Sequence, residues 1–278
     1  MHLVETKWLS ENLDSPNIKI IDATWHMPNM AKNAARDYAE AHILNALFFD
    51  TDKIADTSIN LPHMLPKADF FSATMNKMGI SHEHHIIIYD AYGFFSSARA
   101  WWTFKTMGHE KVSILNGGLK KWVAEWRKTT STTTKIVSTK GYKAIINQAA
   151  VKNIDQMHTH LNNNDIQTLD ARSAGRFSGK DPEPRAGLSS GHMPNGFNLP
   201  FTSLANADGT LKSQDQITAL LAESGVDTQE PIVTTCGSGI TAANLWFALD
   251  YIGAENLALY DGSWTEYAAD ADSVIVKG

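Results

Sequence analysis

The chain has almost no cysteine. Its 278 residues include one, Cys236. A single cysteine excludes an intrachain disulfide framework, a CxxC redox pair and a thiolate-rich zinc site. The composition therefore favours a protein of a reducing, intracellular compartment.

Positive charge is also in deficit. Lys and Arg number 24 against 30 Asp and Glu, which leaves a formal charge of −6. Binding to nucleic acid needs a basic surface, so we expect no nucleic-acid partner.

The first ten residues, MHLVETKWLS, lack a basic segment followed by an apolar one. They predict no secretory signal and a cytoplasmic protein.

No segment is a convincing membrane span. Residues 231–249 carry no formal charge, but their Thr, Gly, Ser, Asn and Pro residues suit a buried strand, loop and helix better than a bilayer. Hydrophobic residues make up 43% and charged residues 19%, which is typical of globular proteins. At roughly 100–200 residues per domain, the length predicts two domains. Because no segment suits a bilayer, we expect no membrane partner.

The sequence contains an internal repeat with an offset of about 147 residues. Residues 4–25 align with 151–173 as an amphipathic helix, a polar turn and an apolar strand. AHILNALFFD aligns with GHMPNGFNLPF, and HIIIYDAYGF aligns with PIVTTCGSGI, which places Asp90 opposite Cys236, with a one-residue slip afterwards. A period of this length indicates a duplicated domain.

The two copies are separated by the Ser/Thr/Lys-rich segment 127–141, which is typical of a surface linker. We therefore predict an N-terminal domain at 1–130, a linker at 131–148 and a C-terminal domain at 149–278. Within each copy, short apolar runs such as HIIIYD and PIVTT alternate with helical segments. This pattern predicts an α/β fold in which each domain is a mainly parallel sheet with helices on both faces.

The cysteine lies in a loop where such sheets bind ligands. A buried strand ends at Thr235, the loop CGSGIT runs from Cys236 to Thr241, and a helix begins at Thr241 or Ala242. Gly237 and Gly239 allow the backbone to turn its N–H groups inward, and the helix adds the positive end of its dipole. Such a loop favours an anion, here a nucleophilic thiolate at neutral pH.

Cys236 has two other interpretations. A free cysteine is often an inert, buried side chain. The glycines after Cys236 and the strand–loop–helix context favour a nucleophile instead. A phosphatase loop of the form HCx5R would need an arginine where Ala242 stands.

In the first copy Asp90 replaces the thiol, so we expect that domain to be catalytically silent.

Residues 170–201 form a long segment with weak periodicity, typical of a functional loop. It carries Arg172, Arg176 and Arg185. Planar guanidinium groups suit the carboxylate of an acidic substrate. Each of the three arginines can equally be a solvated charge or part of an internal salt bridge.

These motifs together resemble a known family. The duplicated domains, CGSGIT, DARSAGRF with EPR and GHMPN, the first-copy DATWHMP and AHILNALFFDTD, and the closing DGSWTEY are similar to the 3-mercaptopyruvate sulfurtransferases of the rhodanese superfamily. The similarity covers nearly the whole chain. An uncharged CGSGIT loop is of the mercaptopyruvate type, whereas thiosulfate-specific rhodaneses carry basic residues just after the cysteine. Thr235 departs from the family, in which an aromatic residue often precedes the cysteine.

The resemblance implies roles for individual residues. Cys236 would form a persulfide, and Arg176 and Arg185 would bind the carboxylate and keto oxygen of 3-mercaptopyruvate. Ser238, His63 and Asp52 match a proposed assisting Ser/His/Asp arrangement. The backbone of the loop would stabilise the anionic sulfur. Its residues are Gly237, Gly239, Ile240 and Thr241.

The resemblance also implies partners. The donor would be 3-mercaptopyruvate, the acceptor a thiol such as thioredoxin, or cyanide, and the protein a monomer without cofactor or metal. The alternatives are a thiosulfate sulfurtransferase and a non-catalytic binding or redox-sensing module.

Clustered histidines and aromatic pairs elsewhere in the sequence are explained without a site. The histidines His82, His84 and His85 enter a strand and face opposite sides, with no completing ligand, so we predict no metal there. Two aromatic pairs on helices are expected in the core: Trp101 with Trp102, and Trp246 with Phe247. Trp264 is expected in a loop, and the resemblance places it beside the active site.

Overall fold

The computed structural model describes all 278 residues. Its contacts divide the chain into two units. The first unit contains Met1–Asp56, Leu65–Ile146 and Ala205–Leu211; the second contains Thr57–Met64, Asn147–Leu204 and Lys212–Gly278. Two short segments, 57–64 and 205–211, thus group with the unit formed mainly by the other half of the sequence. The contiguous domain limits stay a prediction.

The first unit is built on a parallel sheet of five strands in the order β1-β6-β5-β2-β4. A small antiparallel pair, β3 with β7, accompanies it. The strands are β1 (Leu3–Val4), β2 (Ile18–Asp22), β3 (His42–Ile43), β4 (Ala46–Phe48), β5 (His85–Tyr89), β6 (Val112–Leu115) and β7 (Thr129–Thr130). The helices are α1 (Thr6–Glu11), α2 (Ala34–Glu40), α3 (Ala68–Lys77), α4 (Ser97–Thr106) and α5 (Gly118–Ala124).

The second unit repeats this arrangement. Its parallel sheet has the order β8-β12-β11-β9-β10, so each strand has a counterpart in the first unit. The strands are β8 (Val151–Lys152), β9 (Gln167–Asp170), β10 (Phe197–Asn198), β11 (Ile232–Thr235) and β12 (Leu257–Tyr260). The helices are α6 (Ile154–Asn163), α7 (Ala174–Phe177), α8 (Gln214–Ser224), α9 (Ala242–Tyr251) and α10 (Ser263–Tyr267). The shared strand order confirms the duplication.

The central strands explain the continuous apolar runs in the sequence. Ile86, Ile87 and Ile88 of β5 are completely buried, because helices cover both faces of a parallel sheet. The helices that follow the central strands, α4 and α9, are buried on nearly all sides as well. The α/β prediction is confirmed, and the two helical aromatic pairs lie in the core, where Trp102 and Phe247 are completely buried.

Three local expectations need correction. The segment 127–141 is largely exposed, but β7 pairs with β3, and Thr139 Oγ1 donates to the Ile80 carbonyl at 2.7 Å. It is therefore attached to the first unit and is more than a linker. The long loop of the second unit contains the short helix α7. Trp264 lies on α10 and not in a loop.

No helix in the structure has both the length and the apolar character that crossing a bilayer requires. The uncharged stretch 231–249 instead forms β11, the cysteine loop and most of α9.

Candidate active site

Cys236 lies directly after the central strand of the second sheet. β11 ends at Thr235 and α9 begins at Ala242, as the sequence predicts. Gly239 has a φ of +82°, a conformation that favours glycine, and its N–H donates to Cys236 Sγ at 3.1 Å. Cys236 is 1% exposed. Burial alone fits an inert cysteine too, so the polar groups around the sulfur decide what it can do.

Residues of helix α10 donate hydrogen bonds to the backbone of the cysteine loop. The N–H of Trp264 donates to the Cys236 carbonyl at 2.9 Å. Thr265 donates to the Gly237 carbonyl through its N–H at 3.0 Å and its hydroxyl at 2.5 Å. These bonds fix two peptide planes of the loop, so its N–H groups keep their orientation. No sequence motif marks Thr265 for this contact.

The corresponding loop of the first unit shows what this turn can bind. The Asp90 carboxylate accepts four backbone N–H bonds, all at 2.8 Å. The donors are Tyr92, Gly93, Phe95 and Ser97. Helix α4 begins seven residues after Asp90, one more than the spacing of Cys236 and α9, which accounts for the slip in the repeat. The turn therefore collects N–H donors around an anion, which its own side chain supplies here.

Of the arginines in the loop 170–201, Arg172 is a structural residue. Its side chain is 1% exposed and pairs with Asp170 (2.6 Å) and Glu183 (2.8 Å). It also donates to the Gly191 carbonyl at 2.6 Å and lies over the ring of Trp264, 3.9 Å from its centroid. With nearly all of its donors occupied, Arg172 has little capacity left to bind a substrate.

Arg176 lies beside the cysteine loop. A Cβ atom added at Gly237 would be 3.1 Å from Arg176 Nη2, so the guanidinium packs directly against the backbone of that glycine. Arg176 Nε and Nη2 donate to Glu183 at 3.1 and 2.5 Å. The structure thus brings one predicted arginine to the predicted nucleophile. Glu183, in the EPR motif, was not among the predicted site residues.

Arg185 is half-buried and has no hydrogen-bond or ion-pair partner within the chain. A guanidinium left without a partner can bind an added carboxylate without first losing an internal contact. Its role in substrate binding stays a prediction.

The remaining predicted residues divide between the two units. Ser238 (8% exposed) and Ile240 (3%) are buried in the loop, which ends at the half-buried Thr241. His63, which sequence order assigns to the first domain, belongs by its contacts to the second unit, is 8% exposed and has a φ of +62°. Asp52 belongs to the first unit and accepts from Trp25 Nε1 at 3.1 Å. Their catalytic roles stay predictions.

The three clustered histidines each contact the protein. His82 stacks on Tyr142 with ring centroids 4.3 Å apart. His84 Nδ1 accepts from the N–H of Ser81 at 2.9 Å, and His85 Nε2 lies 2.8 Å from Ser113 Oγ. No group of three or more His, Cys, Asp or Glu side chains is arranged to hold a metal ion.

The two copies treat an equivalent carboxylate differently. Asp170 pairs with Arg172, whereas Asp22, at the matching place in the first unit, has Thr24 two residues on and accepts its N–H at 2.9 Å. Asp22 is 2% exposed. Burial raises the pKa of Asp22 from 3.8 to about 6, partly opposed by hydrogen bonds from Thr24.

We expect Asp22→Asn to stabilise the protein. Because its folded pKa is raised, the contribution of Asp22 to stability is fully present below pH 3.8 and is lost as the pH rises through about 6. At pH 8 the neutral amide should raise the free energy of unfolding by about 1–3 kcal/mol, and by less at pH 5. Urea denaturation at the two pH values measures this.

The matched control is Asp170→Asn, which should have the opposite sign. It leaves the buried Arg172 without its main partner and should cost about 3–5 kcal/mol. Equal destabilisation by both substitutions would contradict the difference between the copies.

The same protein family matches both halves of the chain. The Rhodanese-like domain family matches residues 5–125 and again 153–270. The 3-mercaptopyruvate sulfurtransferase of Escherichia coli (strain K12) is 39% identical over 270 residues, covering 97% of this chain and 95% of that protein. The thiosulfate sulfurtransferase of Rattus norvegicus is 36% identical over 272 residues, covering 95% and 91%.

Among solved structures, the chain is similar to SseA from Escherichia coli, described as a 3-mercaptopyruvate sulfotransferase with the rhodanese fold. The TM-score is 0.86 at 37% identity, covering 94% of this chain and 98% of SseA. Since relatives named for two different sulfur donors are about equally identical to this chain, overall identity does not select the donor. The residues of the loop have to do so.

Proposed function

This chain belongs to the rhodanese family, with two rhodanese-like domains in tandem, and we propose that it is a 3-mercaptopyruvate sulfurtransferase. One observation carries the proposal: the Cys236 sulfur accepts an N–H bond in a loop without charged side chains, and Arg176 packs against Gly237 of that loop. These contacts support a sulfur nucleophile at Cys236 with a carboxylate-binding group, Arg176, beside its loop.

In the first half-reaction, the Cys236 thiolate attacks the sulfur of 3-mercaptopyruvate. The new S–S bond forms as the carbon–sulfur bond breaks, and its electron pair leaves on carbon as the enolate of pyruvate, which takes up a proton. Cys236 is left as a persulfide. The N–H of Gly239 stabilises the negative charge on sulfur in the manner of an oxyanion hole.

Arg176 and Arg185 orient the donor by binding its carboxylate and keto oxygen. Support comes from the position of Arg176 beside Gly237 and from the absence of an internal partner for Arg185. Holding the donor in line with the sulfur turns a bimolecular encounter into an oriented reaction within the complex.

In the second half-reaction, an acceptor attacks the outer sulfur of the persulfide and Cys236 leaves as the thiolate. Because the chain has one cysteine, any second thiol must come from the acceptor. Thioredoxin, a small thiol and cyanide are the acceptors we propose. The assisting roles of Ser238, His63 and Asp52 belong to the same proposal, as do the silence of the first domain, the monomeric state and the cytoplasmic location.

The preference for mercaptopyruvate over thiosulfate follows from charge. Gly237 and Ser238 add no positive charge to that of Arg176 beside Gly237, so the second negative charge of thiosulfate has no partner within the loop. We expect kcat/KM for mercaptopyruvate, followed as pyruvate release, to exceed that for thiosulfate, followed as sulfite release, by at least about tenfold, a difference of about 1.4 kcal/mol.

The same assay tests whether Arg185 binds the donor. Arg185→Ala should raise KM for mercaptopyruvate by about ten- to a hundredfold, the loss expected for a charged hydrogen bond. A higher kcat/KM with thiosulfate would make the enzyme a thiosulfate sulfurtransferase. Failure of both donors to place sulfur on Cys236 would favour a non-catalytic module.

A further inference from the structure

We propose that Glu183 is a positioning residue for sulfur transfer: its buried carboxylate fixes the guanidinium of Arg176 so that one edge stays open for the carboxylate of the donor. This inference rests on the proposed function, because it specifies how the substrate-binding arginine of that site is held.

Four side chains form a chain of ion pairs in which acidic and basic groups alternate. Asp170 pairs with Arg172, Arg172 with Glu183, and Glu183 with Arg176. Glu183 Oε1 accepts from Arg172 Nη1 at 2.8 Å and from Arg176 Nε at 3.1 Å, while Oε2 accepts from Arg176 Nη2 at 2.5 Å. The carboxylate therefore joins a completely buried arginine to the one beside the cysteine loop.

Burial decreases along these ion pairs from Arg172 to Arg176, as a positioning role requires. The side chains of Arg172 and Glu183 are 1% and 3% exposed, whereas that of Arg176 is 22% exposed. Arg172 is itself held by the Gly191 carbonyl and by the ring of Trp264. Glu183 is thus anchored on its inner side, and only the outermost arginine reaches the accessible part of the site.

The orientation of the contact determines what Arg176 can still bind. Glu183 occupies the Nε–Nη2 side of the guanidinium, which leaves Nη1 and the second N–H of Nη2 without protein partners. These two nitrogens form a second fork, matched to a bidentate carboxylate. Since Nη2 also packs against Gly237, this open edge is fixed next to the cysteine loop.

A purely structural salt bridge would predict a different outcome from a positioning one. A structural pair would affect stability and every reaction of the enzyme alike. A positioning pair acts through Arg176, and so affects only steps in which a donor carboxylate is bound. The transfer of sulfur from the loaded persulfide to cyanide contains no such step.

The experiment is a kinetic comparison of Glu183→Gln with the wild type. The amide keeps one acceptor oxygen and places an NH2 group where the other oxygen stood, so Arg176 loses one of its two bonds and the negative charge that held it. We therefore expect KM for mercaptopyruvate to rise about ten- to a hundredfold. Discharge of a persulfide loaded with inorganic polysulfide, which has no carboxylate, to cyanide should stay within about twofold of the wild-type rate by the same reasoning.

Two controls isolate the role of Glu183. Asp181→Asn makes the same change of charge in the same loop, at an exposed carboxylate without a hydrogen-bond partner, and should leave KM unchanged. In an Arg176→Met background, Glu183→Gln should add no further increase in KM, because it acts through the missing arginine. An equal increase in both backgrounds, or none in either, would overturn the proposal.

A measurement without substrate separates this proposal from the proposed function. In the NMR spectrum, the Arg176 Nε–H group should be ordered in the wild type and in Asp181→Asn, and mobile in Glu183→Gln and in the shorter Glu183→Asp. If the wild type fails to release pyruvate from mercaptopyruvate, the proposed function is wrong and the NMR result still decides the positioning. An ordered Arg176 in Glu183→Gln refutes the positioning alone.

Discussion

Replacing Cys236 with serine should abolish sulfur transfer, lowering kcat/KM for mercaptopyruvate by about four orders of magnitude or more. A serine hydroxyl in the same place is not ionised at neutral pH and cannot form a persulfide. The N–H of Gly239 and the fork of Arg176 remain, so the donor should still bind. The measurements are pyruvate release and the mass of the protein after incubation with mercaptopyruvate.

A persulfide on a cysteine of this protein can only be on Cys236, because it is the only cysteine. Wild-type protein should gain the mass of one sulfur atom on the peptide that contains Cys236, and Cys236→Ser should gain none. Thr234→Ser, a similarly small change in the buried strand β11, serves as the folding control and should keep activity. Sulfur retained on any other residue of the variant would refute Cys236 as the carrier.

Replacing Asp90 with alanine should destabilise the first unit strongly. Asp90 is completely buried and its carboxylate accepts four N–H bonds, so its removal leaves four donors without their anion. We expect a loss of about 3–5 kcal/mol in the free energy of unfolding, the scale for breaking a buried charged network. Urea denaturation followed by circular dichroism measures it.

Chemical rescue distinguishes the anion site from a simple loss of packing. Formate, a carboxylate small enough for the vacated turn, should restore part of the stability of Asp90→Ala while leaving the wild type unchanged. Asp208→Ala, at an exposed carboxylate of the same unit, is the control for general effects of the salt. Equal stabilisation of all three proteins by formate would contradict an anion-binding turn at Asp90.

The four N–H bonds at Asp90 also bear on the origin of the duplicated site. One copy retains the turn and fills it with its own carboxylate, while the other keeps the turn for a sulfur atom. The sequence alignment of Asp90 with Cys236 predicted the substitution. It could not reveal that the carboxylate collects four N–H bonds, one of them from Gly93, where the sulfur accepts a bond from the matching Gly239, because those bonds depend on the path of the backbone between Tyr92 and Ser97.

The roles of the three loop arginines show a similar limit. By residue type and spacing alone, Arg172, Arg176 and Arg185 are equivalent candidates, each of them a substrate ligand, a solvated charge or an internal salt bridge. Only the family resemblance singles out Arg176 and Arg185. The structure makes Arg172 internal, holds Arg176 on one edge and leaves Arg185 without a partner. Their differences come from Glu183 and Trp264, whose positions relative to the loop are not encoded in residue spacing.

The amino-acid sequence alone determined the duplication, the parallel sheets and the strand–loop–helix that carries Cys236. These features follow from local patterns: buried strands are continuously apolar, and a thiol followed by alternate glycines marks a turn of inward-facing N–H groups. Tertiary structure alone decided the grouping of 57–64 with the second unit, the raised pKa of Asp22 and the chain from Asp170 to Arg176. Each of these depends on burial and on contacts between side chains, and such contacts exist only once the chain has folded.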